Sequence, residues 1–298
     1  MKLQDIQMRD PYIFVEDERY IMVGTTDPSC WAEVGYGFNA FISNDLIDWT
    51  PMGPVFEKSP DFWATKNFWA PELHKFGGCY YLLASFKSND RCRATCALKS
   101  DSPLGPFIPF GADQLTPKDW ECLDGTLHVD KNDKPWLIFC HEWLQVGDGE
   151  MCAVPLKDDL SGSDGEPVVL FRASEAKWVV EIHSGDICGR VTDGPFMFKN
   201  ASGQLCMLWS SNGAEGYAIS YAVSEGDVLG PWNQTDEPLF GKDGGHGMLF
   251  TSLEGQLMLS IHSPNNTPCE RPLFIPVNLT QDGLVRADQN NTIILCTE

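Results

Sequence analysis

Five stretches of this chain are variants of one short pattern, and that recurrence limits the fold more than any other feature. The fullest copy is Arg190-Val-Thr-Asp-Gly-Pro-Phe-Met-Phe198. The others are Arg9-Asp10-Pro11-Tyr-Ile-Phe14, Trp69-Ala-Pro71-Glu72-Leu-His74, Leu123-Asp124-Gly125-Thr-Leu-His128 and Gly244-Gly245-His246-Gly-Met-Leu-Phe250. In each, one or two turn formers (Asp, Pro or Gly) precede a short apolar or alternating run. A polar turn follows, such as Asn132-Asp133, Ser202-Gly203 or Glu254-Gly255, and then a second, more hydrophobic run such as Leu205-Cys-Met-Leu-Trp209. Two runs joined by a Gly- or Asp-containing turn read as a β-hairpin.

The copies recur at steps of roughly 50 to 70 residues, slightly longer than the period expected of propeller blades. Short alternating runs after each hairpin, such as Tyr217-Ala-Ile-Ser-Tyr-Ala-Val-Ser224, supply outer strands. Leu104-Gly-Pro-Phe107 and Leu229-Gly-Pro-Trp232 repeat one turn-plus-aromatic device in different units. Apolar periodicity of the helical kind is nearly absent. The expectation is an all-β, five-bladed β-propeller with four short antiparallel strands per blade, a single domain over residues 1–298; a large β-sandwich is the alternative.

In a propeller the first run of each unit is the innermost strand and starts at one mouth of the central channel. Asp10, the Trp69–Glu72 segment, Asp124, Asp193 and His246 then form a ring. The ends of the second strands (Thr25, Ser85, Glu142, Ser211 and His262) return to the same mouth. Carboxylates at equivalent corners of a closed ring repel one another and split their pKa values. One ionised and one protonated carboxyl is what acid/base cleavage of a glycosidic bond requires. Asp before Gly or Pro is also an ordinary turn former, and the recurrence beside Trp69 is what favours chemistry.

The formal charge of −21 argues against nucleic acid or an anionic membrane as partner and suits a neutral substrate. Ten Trp and 17 Phe fit a chain that stacks aromatic faces on sugar rings as well as filling a core. The 11 cysteines are odd in number and lack zinc-like spacing, which points to buried free thiols in a reducing compartment. With no apolar h-region at the N-terminus, the expected location is the cytoplasm; a secreted chain trimmed of its leader would read the same way.

Arg9-Asp10-Pro11, Phe68-Trp-Ala-Pro-Glu-Leu-His-Lys75, Leu123-Asp-Gly-Thr-Leu-His-Val-Asp130, Thr192-Asp-Gly-Pro195 and Gly245-His-Gly247 resemble, in order, the blade motifs of glycoside hydrolase family 43. The resemblance implies a five-bladed propeller and inverting hydrolysis of furanosides or xylosides. It casts Asp10 as the base that activates water, and Asp124 as the carboxylate that holds the acid and raises its pKa. The blade-four acid becomes the proton donor. Here the sequence departs from the family pattern, with Asp193-Gly-Pro195 in place of Glu-Gly-Pro. The shorter side chain reaches roughly 1.5 Å less far. Asp193 is the favoured acid, with Glu142 of Cys140-His-Glu-Trp143 the alternative; Glu181 and Glu72 have less positional support.

The resemblance also implies that His246 helps to hold a structural calcium, mostly through water. Trp69 is expected to be a sugar platform, Phe68 and Trp143 its walls, with Glu142 and Arg271 able to hydrogen-bond sugar hydroxyls. The expected activity is exo-acting release of α-L-arabinofuranosyl units from arabinose- or xylose-containing oligosaccharides, with β-xylosidase activity as an alternative. A fructoside-cleaving relative and a binding propeller that has lost catalysis are the other readings. The Asp158–Lys177 segment is a candidate wall of the channel mouth.

Overall fold

The computed structural model describes residues 1–27, 30–31 and 34–287. These residues build five four-stranded antiparallel sheets, each from strands consecutive in sequence. Blade one holds β1 (Arg9–Glu16), β2 (Arg19–Thr25), β3 (Gly37–Ser43) and β4 (Thr50–Glu57). Blade two holds β5 (Lys66–Phe76), β6 (Cys79–Lys87), β7 (Ala94–Ser100) and β8 (Ile108–Pro109). Blade three holds β9 (Cys122–Val129), β10 (Pro135–His141), β11 (Glu150–Pro155) and β12 (Val168–Arg172). A small hairpin, β13 (Ile182–Ser184) and β14 (Ile187–Gly189), precedes blade four. That blade is β15 (Asp193–Lys199), β16 (Leu205–Gly213), β17 (Gly216–Asp227) and β18 (Gly230–Gln234). Blade five is β19 (Gly245–Thr251), β20 (Leu257–Ser263), β21 (Arg271–Leu279) and β22 (Leu284–Arg286). Among the described residues, helix is confined to α1 (Trp143–Val146) and two three-residue 3-10 turns. No helix among the described residues is long and apolar enough to cross a membrane.

The first strands of the blades meet around one axis: β1 lies against β5 and β19, β9 against β5 and β15, and β15 against β19. The second strands are packed between blades on both faces, which is why they read as continuous apolar runs rather than alternating ones. Leu205 to Ser211 are all buried. The apolar core is therefore a set of inter-blade seams, including a Phe38–Phe56–Phe68–Phe86 aromatic cluster between blades one and two. The hairpin turns fall where the sequence places them, with Asp133, Gly203 and Gly255 at positive φ.

One expectation is corrected here. Asp158–Lys177 runs through β12 at the outer edge of blade three and does not wall the mouth. Residues of α1 and of the β13–β14 hairpin line the cleft instead. The hairpin seats on α1 because residue 189 is glycine: a Cβ there would lie 2.0 Å from the Gly147 carbonyl oxygen.

Candidate active site

Each innermost strand opens with the same β-bulge, in which two residues oppose one on the second strand. The bulged pairs are Asp10-Pro11, Ala70-Pro71, Asp124-Gly125, Gly194-Pro195 and His246-Gly247. The first member of each is left-handed, with φ of 55°, 45°, 56°, 52° and 51°. Four of these five residues are not glycine, and such backbone persists only where its surroundings hold it.

What holds it is a relay between neighbouring blades. The Ala70 N–H donates to Thr25 Oγ1 (2.9 Å), Asp124 N–H to Ser85 Oγ (2.8 Å), His246 N–H to Ser210 Oγ (2.8 Å) and Asp10 N–H to His262 Nδ1 (3.1 Å). Ser210, rather than the expected Ser211, is the blade-four member; Ser211 Oγ donates to the Val191 carbonyl. Blade three offers Cys140 at the capping position, and sulfur is a weak acceptor. There Asp124 Oδ2 takes the Gly194 N–H instead, at 3.1 Å.

The register relocates the third acid. Asp10 and Asp124 occupy the left-handed position, whose blade-four occupant is Gly194. Asp193 stands one residue earlier, equivalent to Arg9, Trp69, Leu123 and Gly245. The three carboxylates are therefore not at equivalent corners. Asp10 and Asp124 are buried, at 8% and 6% exposure, and both approach His246 Nδ1, from 3.2 and 3.7 Å. Asp193 is partly exposed on the cleft wall, and its Oδ2 accepts a hydrogen bond from the Tyr217 hydroxyl at 3.0 Å.

The environments separate the three acids electrostatically. Burial by itself would raise Asp10. The imidazoles of His246 and His262, the Arg9 guanidinium and the 2.6 Å hydrogen bond from Thr25 outweigh it and hold the carboxyl below its usual range. His262, wholly buried, is pushed down to about 4. Its Nδ1 accepts the Asp10 N–H, and its Nε2 faces Asn265 Oδ1 at 3.2 Å. Asp124 is raised well above the carboxylate range by burial and then by the Asp10 charge. Asp193 is pushed up to about 7 by burial and by Asp124. The last two behave as a coupled pair that retains a proton at mildly acidic to neutral pH. Burial beside Asp193 keeps the Tyr217 phenol protonated, so it remains a donor.

These groups sit at the floor of a cleft of about 570 Å³. Trp69, Glu142, Trp143 and His246 line it together with the three aspartates. Phe68 and Arg271 do not. Successive residues of a strand face opposite sides, so with Trp69 in the cleft Phe68 is driven into the aromatic seam, 1% exposed and 4.9 Å from the Phe86 ring. Arg271 donates to the carbonyls of Gln4, Pro268 and Glu270 and ties the blade-five loop down. Glu181 pairs with Arg190 at 3.4 Å, and Glu72 with His74 at 2.9 Å.

Glu142 is engaged by the guanidinium of Arg93 in a nearly buried ion pair. Tyr217 and Arg93 are site residues that lie outside the blade motifs, and Arg9, which heads the first motif, carried no expected role. A signal for Tyr217 existed in the tight Gly213–Gly216 turn, which returns the chain at the mouth with Tyr217 as its next residue. Among the described residues no three His, Cys, Asp or Glu side chains gather as a metal-ligand set. A protein-ligated calcium cage does not fit this donor set, and only a largely hydrated ion resting on His246 is compatible with it.

A propeller with two buried carboxylates and a third of raised pKa in one sugar-sized cleft defines a class, the carbohydrate-cleaving propellers. Within it, this chain belongs to the glycosyl hydrolases family 43, whose model matches residues 5–285, and it is a glycosidase. It is similar to the endo-arabinase of Bacteroides thetaiotaomicron VPI-5482, at 42% identity and a TM-score of 0.87, over 95% of this chain and 98% of that one. It shares its fold with the α-L-arabinofuranosidase of Lactobacillus brevis, at 18% identity and a TM-score of 0.74 over 100% of both chains. The extracellular endo-α-(1→5)-L-arabinanase 1 of Bacillus subtilis (strain 168) is 23% identical over 151 residues, 47% of this chain and 45% of that protein. That last match spans less than half of the relative's length.

Proposed function

We propose that the protein is an inverting glycosidase that cleaves α-L-arabinofuranosyl linkages within short arabinan chains. The observation that carries the reading is three carboxyls gathered in one cleft: Asp10 beside His246 and held low, and Asp124 and Asp193, joined through the Gly194 N–H, raised as a coupled pair that keeps a proton. Asp10, ionised, takes a proton from a water as its oxygen attacks the anomeric carbon. Asp193, protonated, passes its proton to the glycosidic oxygen as the carbon–oxygen bond breaks. Asp124 fixes the Gly194 N–H next to the acid, and two buried carboxyls this close resist losing their last proton together, so the pair keeps one for transfer. The Tyr217 hydroxyl occupies Asp193 Oδ2, leaving Oδ1 for the proton to be transferred. Glu142, tied up by Arg93, is placed to bind substrate rather than to carry that proton.

Internal rather than terminal cleavage is supported by the size of the cleft and by its lining from all five blades. Trp31 and Trp69 come from blades one and two, Trp143 and Ile182 from blade three and the hairpin after it, Tyr217 from blade four and Asn265 from blade five. A volume of about 570 Å³ accommodates several rings rather than one pentose. The 42% identity to an endo-arabinase agrees. Digestion of linear arabinan, followed by chromatography and NMR of the nascent anomer, tests the reading. Oligosaccharides of inverted configuration are expected first. Arabinose as the first product would favour the exo-acting arabinofuranosidase, and cleavage of xylo-oligosaccharides alone would replace arabinan as the substrate. A hydrated calcium on His246 remains part of the proposal as a structural ion, and no step of the reaction runs through it.

A further inference from the structure

We infer that Arg93 is a positioning residue of the substrate cleft, a single guanidinium that sets both the Glu142 carboxylate and the Trp69 indole against the bound sugar. This rests on the glycosidase reading of the same cleft. Arg93 precedes β7 in blade two and is 5% exposed. Its guanidinium carbon lies 4.2 Å from the centre of the Trp69 ring, covering one face of the indole. Its Nη1 is bonded to Glu142 Oε2, at the end of the second strand of blade three, and its Nη2 reaches Asn67 Oδ1 at 3.5 Å. One planar cation thus bridges two blades.

The backbone of Arg93 is equally constrained. Its N–H donates to Glu121 Oε2 (2.8 Å), and its carbonyl accepts the Cys122 N–H (2.9 Å). Trp69 is pinned from its other edge by the hydrogen bond from Nε1 to the Cys30 carbonyl at 2.7 Å. Trp31 packs against the same indole at 5.2 Å between ring centres and lines the cleft with it. Glu142 Oε1 takes no hydrogen bond from the described residues, and both Glu142 and Trp69 line the cavity. A carboxylate oxygen beside an aromatic face is a fitting pair for a sugar ring, accepting from a hydroxyl while the indole packs on the ring's C–H groups. A lysine would keep the charge but lose both the stack and the fork.

Steady-state kinetics on arabinotriose for wild type, Arg93→Lys, Arg93→Met and Arg93→Met/Glu142→Met test this. Both single variants are expected to raise KM, the Met variant roughly 30-fold or more, as when one partner of a buried charge pair at a binding surface is lost. Arg93→Lys should fall between Met and wild type, and kcat should stay within about threefold because the proton-transfer groups are untouched. The double variant removes the carboxylate that Arg93→Met leaves unpaired. It should recover thermal stability while KM stays high, which a merely structural arginine would not do. Unchanged KM in the single variants, or recovery of KM together with stability in the double variant, would overturn the inference. If the wild type cleaves xylotriose and not arabinotriose, the substrate assignment falls, and the same KM comparison on xylotriose decides the role of Arg93.

Discussion

In the proposed mechanism an aspartate at position 193 takes the part that the family pattern gives to a glutamate, and the local structure offers a reason. Asp193 stands one residue before the left-handed Gly194, on the cleft wall, where the Tyr217 hydroxyl holds its carboxyl and Asp124 holds the adjoining Gly194 N–H. The pKa directions fix the shape of the pH profile. A general acid works only while protonated, so kcat/KM should fall as pH rises through about 7, where Asp193, coupled to Asp124, gives up its proton. A general base works only while ionised, and Asp10 is held below the ordinary 3.8, so the acid limb should lie at or below that value. Asp193→Asn should lose the upper limb and leave the lower one. An upper limb that persists in this variant would assign it to another group. The Asp193 offset was not legible in the sequence. Asp-Gly-Pro looks like Asp10-Pro and Asp124-Gly, and only the strand register shows that Gly194 has taken the left-handed position.

At the scale of the strand, the recurring device is a bulge whose first residue is left-handed and whose N–H is capped from the neighbouring blade. It explains why Pro or Gly follows the marker residue in all five copies, since the second bulge residue leaves the regular ladder. The motifs were legible for that reason: the backbone demands those residue types. Side-chain facing was less so. Phe68 and Trp69 are both aromatic, and a one-residue difference in phase sends one to the core and the other to the cleft. Cys140 is the one capping position without a good acceptor, and Asp124 fills in for it. Cys140→Ser should supply the missing hydroxyl to Gly194 and free Asp124. The expected result is stability unchanged or higher by about 1 kcal/mol, with a several-fold fall in kcat. Thermal denaturation and kinetics on the same preparation check both halves, and an unchanged kcat would show that the Asp124–Gly194 bond has no part in holding the acid.

For the whole molecule, the ring must close between blades five and one, and the N-terminal segment makes that closure. Besides the His262–Asp10 bond, Ser260 Oγ donates to the Pro11 carbonyl (2.8 Å) and Arg9 pairs with the fully buried Glu270 (2.8 Å). Sequence could not give Arg9–Glu270, which joins residues 261 apart. The blade count, by contrast, was readable from the repeat, because each hairpin buries itself only against its neighbours. Breaking a buried pair from one side costs about 3–5 kcal/mol. Glu270→Ala should therefore lower Tm by roughly 5–15 °C, and calorimetry will show whether closure depends on it; a shift within error would move the closure elsewhere.

The most direct test of the assignment of acid and base is the leaving-group dependence of kcat/KM on a series of aryl glycosides of α-(1→5)-linked arabinotriose, measured for wild type, Asp193→Asn and Glu142→Gln. Removing the proton donor should slow substrates with poor leaving groups by about 10²–10⁴-fold and spare those whose phenols depart without a proton. Asp193→Asn is predicted to show that steep dependence and Glu142→Gln a uniform loss across the series. A steep series for Glu142→Gln with a flat one for Asp193→Asn would contradict it and make the blade-three glutamate the acid.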